Sequence, residues 1–255
     1  SANMHTGALV ANYPYDGPNS GVYSACPDDD LFIHISLAYA DAHPNMESGG
    51  FSNGITNGAQ WYAISGGMQD WNYIWEGDFD ITIEQNEVKW PSSNQLAGLW
   101  EDHREPMLVY LEEVHDGVRG IVIDADSGEP VSASISVQGI DHDILPDPEN
   151  GDYYRLLSAG TYTITAQAFG YLAQSETVTV PLSGYVEQNF ELSVDPWLAE
   201  ADIEDFEGGD FSDFEWTFGG NANWQADNSE AFEGDYSGRS GNISDSEQSA
   251  VSITL

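Results

Sequence analysis

The chain has 255 residues, of which 40% are apolar and 12% aromatic, so it can build one large or two small cores. Its 44 acidic residues stand against five basic ones and give a formal net charge of −39. Nucleic acid is not expected as a partner, because binding its phosphates requires Lys and Arg. So large a charge keeps a chain soluble but destabilises it at low ionic strength, and we expect a saline, bacterial source.

Cys26 is the only cysteine, which excludes an internal disulfide and a zinc–thiolate cluster. No apolar run approaches the roughly 18 residues of a membrane span. Both ends of the sequence fall inside strand-like patterns. We therefore expect a fragment of a longer, secreted or extracellular protein, with the signal peptide outside this chain.

The first part of the chain alternates between strand and helix patterns, which predicts an α/β fold over residues 1–115. ALVAN at 8–12 predicts a short buried strand. PDDD opens a helix expected over 28–42, because Pro and acidic residues favour a helix N-terminus. The Gly-, Asn- and Ser-rich stretch 44–69 predicts a long loop, and loops of that length are usually functional.

Two further elements complete this part. DITIE at 80–84 alternates as a strand does, and residues 96–115 have helical periodicity. Pro106 lies inside the second pattern and is expected to kink or split that helix.

The hydrophobic period changes to two over residues 117–193. Short strands with turn signals about every eight to twelve residues predict a small antiparallel β-sandwich there. A linker is expected over 194–205, followed at 206–255 by the start of a further β-rich, jelly-roll-like module.

Two single residues are candidates for chemistry. His5 stands just before a buried strand, and Glu84 ends the strand at 80–84. A lone His in such a place is more often structural than a metal ligand. A carboxylate at a strand end is more often solvated than catalytic. Taken singly, the two residues favour the structural interpretation.

Three strings occur in one order, MHTGALVANYPYD at 4–16, NGAQWYAISGGMQDWNY at 57–73 and DITIEQN at 80–86, with PDDDLFIHISLAYADAHPNM after the first. Together they closely resemble zinc metallocarboxypeptidases of the carboxypeptidase N/E, or regulatory, subfamily. The resemblance implies that residues 1–115 are the C-terminal half of the mixed-sheet catalytic domain. Residues 117–193 resemble the transthyretin-like domain that follows it in that subfamily.

The resemblance implies zinc-dependent removal of C-terminal residues from peptides and proteins. By position, His5 matches the third zinc ligand. Glu84 matches the general base that deprotonates a water and hands the proton to the leaving amine. Tyr62 matches the tyrosine that covers the substrate's terminal carboxylate, although without its flanking strings it would count as a surface aromatic.

Asp16 and Gln69 match the residues that contact a C-terminal Arg or Lys side chain in the subfamily. A buried carboxylate is costly unless it meets a cation, so a basic substrate side chain is the natural partner of Asp16. The alternative is that Asp16 is only a turn residue in YPYDGP. We expect substrates with basic C-termini.

The family's HxxE motif, which supplies the other two zinc ligands, is absent, since none of the six histidines begins HxxE or HExxH. Thr6 also replaces the commoner Gly after the ligand His. One ligand cannot hold catalytic zinc, so the chain alone is expected to be inactive. The missing ligands and the Asn-Arg clamp for the substrate carboxylate are expected upstream.

Other functions stay open. A non-catalytic pseudopeptidase would keep the peptide-binding cleft without metal, but it would need neither His5 nor Glu84. The β-rich part after residue 117 could instead be the functional portion, as an adhesion or secretion appendage. The acidic stretch 202–215 has ligands for Ca²⁺ but lacks the EF-hand spacing.

Overall fold

The computed structural model of the protein describes residues 1–196, 206, 208–211, 215–229, 231 and 235–253. The chain divides into two compact units, Ser1–Ser193 and Val194–Leu255. Most of the linker predicted over 194–205, and most of the acidic stretch 202–215, lies outside the described residues.

A four-stranded mixed sheet forms the first part of unit one. Its strands are β1 (Ala2–His5), β2 (Ala8–Tyr13), β3 (Ile55–Asn57) and β4 (Ile81–Asn86), in the order β1-β4-β2-β3. β1 runs parallel to β4, β4 antiparallel to β2, and β2 parallel to β3.

Four helices accompany this sheet: α1 (Asp29–Ala42), α2 (Gly58–Trp61), α3 (Met68–Trp71) and α4 (Leu96–Glu112). A π-helical turn at Asn72–Glu76 continues α3. The core contains Ile81 and Ile83 of β4 together with Phe32 and Ile35 of α1, all nearly inaccessible. Burying each such side chain stabilises by about 1.5–3 kcal/mol, so the alternation on β4 fixes which of its residues point away from the core.

In this first part of unit one, the elements differ from the sequence predictions in three places. A separate strand, β1, precedes the one predicted at 8–12, and it ends at His5. The stretch predicted as a loop over 44–69 contains β3, α2 and short 3₁₀ turns. Pro106 does not split the last helix, because α4 continues through it to Glu112 before a 3₁₀ turn over Glu113–His115.

A β-sandwich forms the second part of unit one. Its strands are β5 (Gly117–Asp124), β6 (Ser134–Val137), β7 (Ile140–Ile144), β8 (Asp152–Leu156), β9 (Gly160–Gln167), β10 (Gln174–Val180), β11 (Tyr185–Glu187) and β12 (Phe190–Leu192). One sheet has the order β10-β9-β6-β7, and in the other β5 pairs with β8, β11 and β12. The sequence predicts an antiparallel sandwich, but β11 and β12 run parallel to β5.

Unit two contains four described strands, β13 (Trp216–Gly220), β14 (Trp224–Asp227), β15 (Ser237–Ser240) and β16 (Ser249–Ile253). They form two antiparallel pairs, β13 with β16 and β14 with β15. The mixed α/β first part and the β strands after it agree with the predicted fold class. Within the described ranges, no helix is both long and apolar enough to cross a membrane.

Candidate active site

His5 and Glu84 face each other across two neighbouring parallel strands. The register pairs His5 of β1 with Glu84 of β4, so both side chains project from the same sheet face. Nδ1 of His5 lies 2.9 Å from Oε1 of Glu84. The His5 side chain is 60% exposed and that of Glu84 only 5%, so the imidazole is open to a ligand while the carboxylate is enclosed.

The second oxygen of Glu84 is the unusual feature of this pair. Oε2 is buried and has no hydrogen-bond partner among the described residues. A buried carboxylate oxygen without a partner is costly, so its presence points to a group that this chain does not supply. A water, a substrate atom or a metal ion would satisfy it.

Asp16, just after β2, is a buried carboxylate held by hydrogen bonds. It is only 2% exposed, and its Oδ1 accepts from Gln69 Nε2 at 3.0 Å and from Asn12 Nδ2 at 3.4 Å. Its backbone N–H lies 3.0 Å from both oxygens of Asp70. No Lys or Arg within the described ranges forms an ion pair with it.

Burial, together with the nearby negative charge of Asp70, raises the pKa of Asp16 to about 6, although the Asn12 hydrogen bond opposes the shift. Burial also raises the pKa of Asp70. Both carboxyls therefore lie where the ionised form is disfavoured unless a cation approaches.

Two glycines explain how the chain encloses Asp16. A Cβ at Gly58 would lie 1.9 Å from Oδ1 of Asp16, and one at Gly67 would lie 2.7 Å from Oδ2. Both distances are far below contact distance, so any other residue would displace the carboxylate. Gly58 in NGA and Gly67, the second glycine of GGM, are therefore required by their close approach to Asp16.

Thr82 fixes the orientation of Gln69. Oγ1 of Thr82 lies 2.7 Å from Oε1 of Gln69 and donates to it, so the Gln69 amide nitrogen must face Asp16. Thr82 is two residues before Glu84 on β4 and hence on the same sheet face. The Glu84 pair and the Asp16 cluster therefore lie on one face, opposite the core.

Tyr62 is placed at the C-terminal end of α2, where it is 46% exposed and packs edge-on against Trp61 at 4.7 Å between ring centroids. Burial raises its pKa, and the negative charges of Glu84 and Asp16 raise it further. Tyr62 is therefore within the electrostatic reach of both parts of the site.

The five residues singled out from the sequence thus share one region. His5 contacts Glu84, and Gln69 contacts Asp16. The negative charges of Glu84 and Asp16 both raise the pKa of Tyr62. Sequence reasoning missed Asn12, Asp70 and Thr82. The alternation of β4, in which Thr82 has the parity of Glu84, could have identified one of them.

Comparison with protein families identifies both parts of unit one. The family model for zinc carboxypeptidase matches residues 1–106, and that for the carboxypeptidase regulatory-like domain matches residues 117–193. Residues 1–106 belong to the zinc carboxypeptidase family. The resemblance that the sequence strings indicated is therefore confirmed, and the zinc carboxypeptidase part is followed by a regulatory-like domain.

Several characterised proteins are similar to this chain. The carboxypeptidase N catalytic chain of Mus musculus is 45% identical over 205 residues, covering 75% of this chain and 45% of that protein. Carboxypeptidase D of Homo sapiens is 43% identical over 75% of this chain and 15% of its own length. Carboxypeptidase SOL1 of Arabidopsis thaliana is 43% identical over 70% of this chain and 37% of its own. The chain thus spans less than half the length of each of these relatives.

The family implies a bound zinc ion, and the described residues of this chain supply only part of a zinc site. His5 offers an accessible imidazole beside a carboxylate with an unsatisfied oxygen. A catalytic zinc takes three protein ligands. No cluster of three or more His, Cys, Asp or Glu side chains able to hold a metal ion occurs in the part of the chain that the structure describes.

Proposed function

We propose that the protein is a zinc-dependent carboxypeptidase that releases C-terminal Arg or Lys from peptides and proteins. The observation that carries the basic preference is Asp16, a buried carboxylate with Oδ1 bound by two amides and with no cation beside it among the described residues. A guanidinium or ammonium from the substrate would supply the missing positive charge. The membership of residues 1–106 in the family supports the peptidase activity itself.

His5 is proposed as one zinc ligand, with the remaining ligands outside this chain. When bound, zinc polarises the scissile carbonyl and lowers the pKa of a water. Glu84 takes a proton from the attacking water, whose oxygen bonds to the carbonyl carbon. Glu84 then gives that proton to the nitrogen as the C–N bond breaks, which releases the C-terminal amino acid.

The substrate is held by groups of different kinds. Asp16 and the Gln69 amide would receive the basic side chain, and the exposed Tyr62 hydroxyl would cover the terminal carboxylate. The protonation of Asp16 controls the first of these contacts, because only the ionised carboxyl attracts a cation.

We also propose that the protein acts outside the cell. Its net charge of −39 suits a salty medium and discourages contact with other acidic surfaces. The relatives described above come from animals and a plant, so the predicted bacterial source gains no support from them.

The test compares release of C-terminal Arg, Lys and Phe from otherwise identical peptides by the full-length gene product with zinc. We expect Arg and Lys to be released and Phe to be nearly inert. A preference for Phe would refute the role of Asp16 and Gln69. The 255-residue chain assayed alone should release nothing, since one zinc ligand is too few.

A further inference from the structure

A buried ion pair joins the zinc carboxypeptidase part to the regulatory-like domain. Nη2 of Arg155, on β8, lies 2.8 Å from Oδ1 and 3.0 Å from Oδ2 of Asp28, which precedes α1. The two residues are 127 positions apart, and both side chains are almost inaccessible, at 0% for Arg155 and 1% for Asp28. An ion pair with so little solvent contact is sensitive to the loss of either partner.

Asp28 also forms hydrogen bonds with Tyr73. The Tyr73 hydroxyl donates to Oδ2 of Asp28 at 2.8 Å and accepts from the Asp28 backbone N–H at 3.1 Å. The regulatory-like domain also contacts Tyr73 directly, since the ring of His142 on β7 lies 4.1 Å from the Tyr73 ring between centroids. The regulatory-like domain therefore reaches Tyr73 in two ways, directly through His142 and indirectly through Arg155 and Asp28.

Tyr73 belongs to the same short helical segment as Gln69 and Asp70. α3 has four residues and the π-helical turn after it has five, which is too short to be stable without tertiary contacts. Trp71 and its neighbours on the outer side are exposed, whereas Tyr73 and Gln69 are buried. These two buried side chains anchor the segment.

Tyr73 reaches Asp16 by a second route. Its ring lies 5.9 Å from that of Tyr15, the residue before Asp16. Asp16 is held in turn by Gln69 Nε2 and by Asp70, both on the segment that Tyr73 anchors. A shift of Tyr73 would change both the donors around Asp16 and the backbone that carries it.

We propose that Arg155 of the regulatory-like domain is a positioning residue for the Asp16–Gln69–Asp70 subsite, acting through Asp28 and Tyr73. This inference rests on the proposed function, because it assigns the domain a part in recognising the basic side chain. The regulatory-like domain then does more than support the fold, since it determines how well the carboxylate of Asp16 is placed.

The experiment uses Tyr73→Phe, which removes the hydroxyl link to Asp28 but keeps the ring and the ion pair. Tyr153→Phe is the matched control, because Tyr153 is equally buried and its hydroxyl donates to Gln188 O at 2.7 Å. Arg155→Met and its conservative counterpart Arg155→Lys complete the set. Hydrogen exchange of individual backbone amides is measured by NMR on the 255-residue chain.

We expect Tyr73→Phe to quicken exchange of the Asp16 amide, which donates to Asp70, and of residues 67–73 by about tenfold relative to residues 31–40 of α1. Tyr153→Phe should leave that ratio unchanged. Arg155→Met should act as Tyr73→Phe does, and Arg155→Lys should restore part of the protection. Equal acceleration at all amides, or an unchanged Asp16 amide, would show a merely structural contact and overturn the proposal.

The second measurement is selectivity in the full-length gene product with zinc. Tyr73→Phe should lower the ratio of kcat/KM for a C-terminal Arg substrate to that for a C-terminal Ala substrate, chiefly through a higher KM for Arg. A preserved ratio contradicts the proposal. If the wild-type protein releases neither residue, the proposed function fails, and the exchange data still decide whether Arg155 orders the subsite.

Discussion

Asp16 combines two requirements that oppose each other at the scale of a single residue. Its carboxyl is enclosed by Gly58 and Gly67 and lies near the negative charge of Asp70, which together with burial raises its pKa to about 6. The ionised form that attracts a basic substrate is thus the form that the folded protein disfavours. A substrate cation beside Asp16 would stabilise the ionised carboxylate and so remove this unfavourable energy.

Replacing Asp16 by Asn tests this opposition. An Asn oxygen can still accept from Gln69 and Asn12, so the packing should survive. Because the folded pKa lies above the ordinary value of 3.8, ionised Asp16 destabilises the folded state above pH 6, and this loss disappears as pH falls toward 3.8. Asp16→Asn should therefore raise the free energy of unfolding at pH 7 by about 1–3 kcal/mol and leave it unchanged near pH 4.

Urea unfolding at both pH values measures this effect. In the full-length gene product the same variant should lose its preference for C-terminal Arg. An Asp16→Asn protein that is less stable at pH 7 would mean that the carboxylate has a stabilising partner in the folded state.

Glu84 has a separate and purely chemical role in the proposal. Its Oε2 is buried and unsatisfied among the described residues, and the side chain of glutamine, which is isosteric with glutamate, fits the same space. Glu84→Gln in the full-length gene product should lower kcat by about 10²–10⁴-fold, because the amide cannot take the proton of the water. Zinc content, measured by atomic absorption, should not change.

Glu87→Gln, a change at a nearby exposed carboxylate, is the matched control and should leave kcat unaltered. Equal losses in the two variants would remove Glu84 from the proton-transfer step.

The sequence predicts some residues of the site better than others. His5, Glu84, Tyr62, Asp16 and Gln69 were found because they belong to strings with a recognisable order. Their contacts were not, since the pairing of His5 with Glu84 depends on β1 running parallel to β4 across 79 positions. Asp70 lies in the string GGMQD, but nothing local in the sequence shows that its carboxylate binds the backbone N–H of Asp16.

At the scale of elements, two buried histidines lie where α1 and α4 meet the sheet. His103 of α4 donates from Nε2 to the backbone oxygen of Gln85 on β4 at 2.8 Å, and its Nδ1 accepts from the Tyr39 hydroxyl of α1 at 2.7 Å. The His43 ring, just after α1, packs on His103 at 4.4 Å. His103 thus links both helices to the residue after Glu84.

Both histidines are held in the neutral form. Burial, together with the neighbouring His103, lowers the pKa of His43 to about 4, and burial also lowers the pKa of His103. Because the folded pKa is below the ordinary value of 6.5, the stability that neutral His43 contributes is present above pH 6.5. It is lost as pH falls toward 4.

His43→Phe should therefore make the acid side of the stability curve shallower. The Phe ring keeps the contact with His103 but takes up no proton, which removes a slope of about 1.4 kcal/mol per pH unit between about pH 6.5 and 4. Urea unfolding at intervals across this range measures the slope for wild type and variant. Identical slopes would show that the pKa of His43 is the same in the folded and unfolded states, which contradicts the lowering by burial.

Element prediction succeeded where a pattern was long and failed where the decisive contact was distant. The helix over 28–42 and the strand over 80–84 were placed within about two residues, because amphipathic periodicity and end signals agree there. The parallel pairing of β11 and β12 with β5 was missed, since these three-residue strands have too little sequence to indicate direction. The short helices between 44 and 69 were missed for the same reason.

At the scale of the whole molecule, few ion pairs oppose the repulsion among the acidic residues, because the sequence has only five Lys and Arg residues. Within the described residues, Arg104 pairs with Glu101 at 3.3 Å and Arg239 with Asp227 at 3.2 Å, both with well-exposed arginines. Exposed pairs of this kind contribute about 0–1 kcal/mol each. The buried Arg155–Asp28 pair neutralises only one of 44 acidic residues. Nearly all of the acidic residues therefore have no Lys or Arg to pair with, and the repulsion among them persists in the folded chain.

Raising the NaCl concentration from about 0.01 M to 1 M should raise the urea midpoint of the 255-residue chain, because the Debye length falls from about 30 Å to about 3 Å. Sodium sulfate at equal ionic strength separates screening from stronger hydrophobic burial, which sulfate also promotes. If screening dominates, the two salts give the same midpoint at low ionic strength and diverge only at high concentration. A midpoint that stays flat or falls with NaCl would mean that the few ion pairs outweigh the repulsion among 44 carboxylates, which their number and exposure argue against.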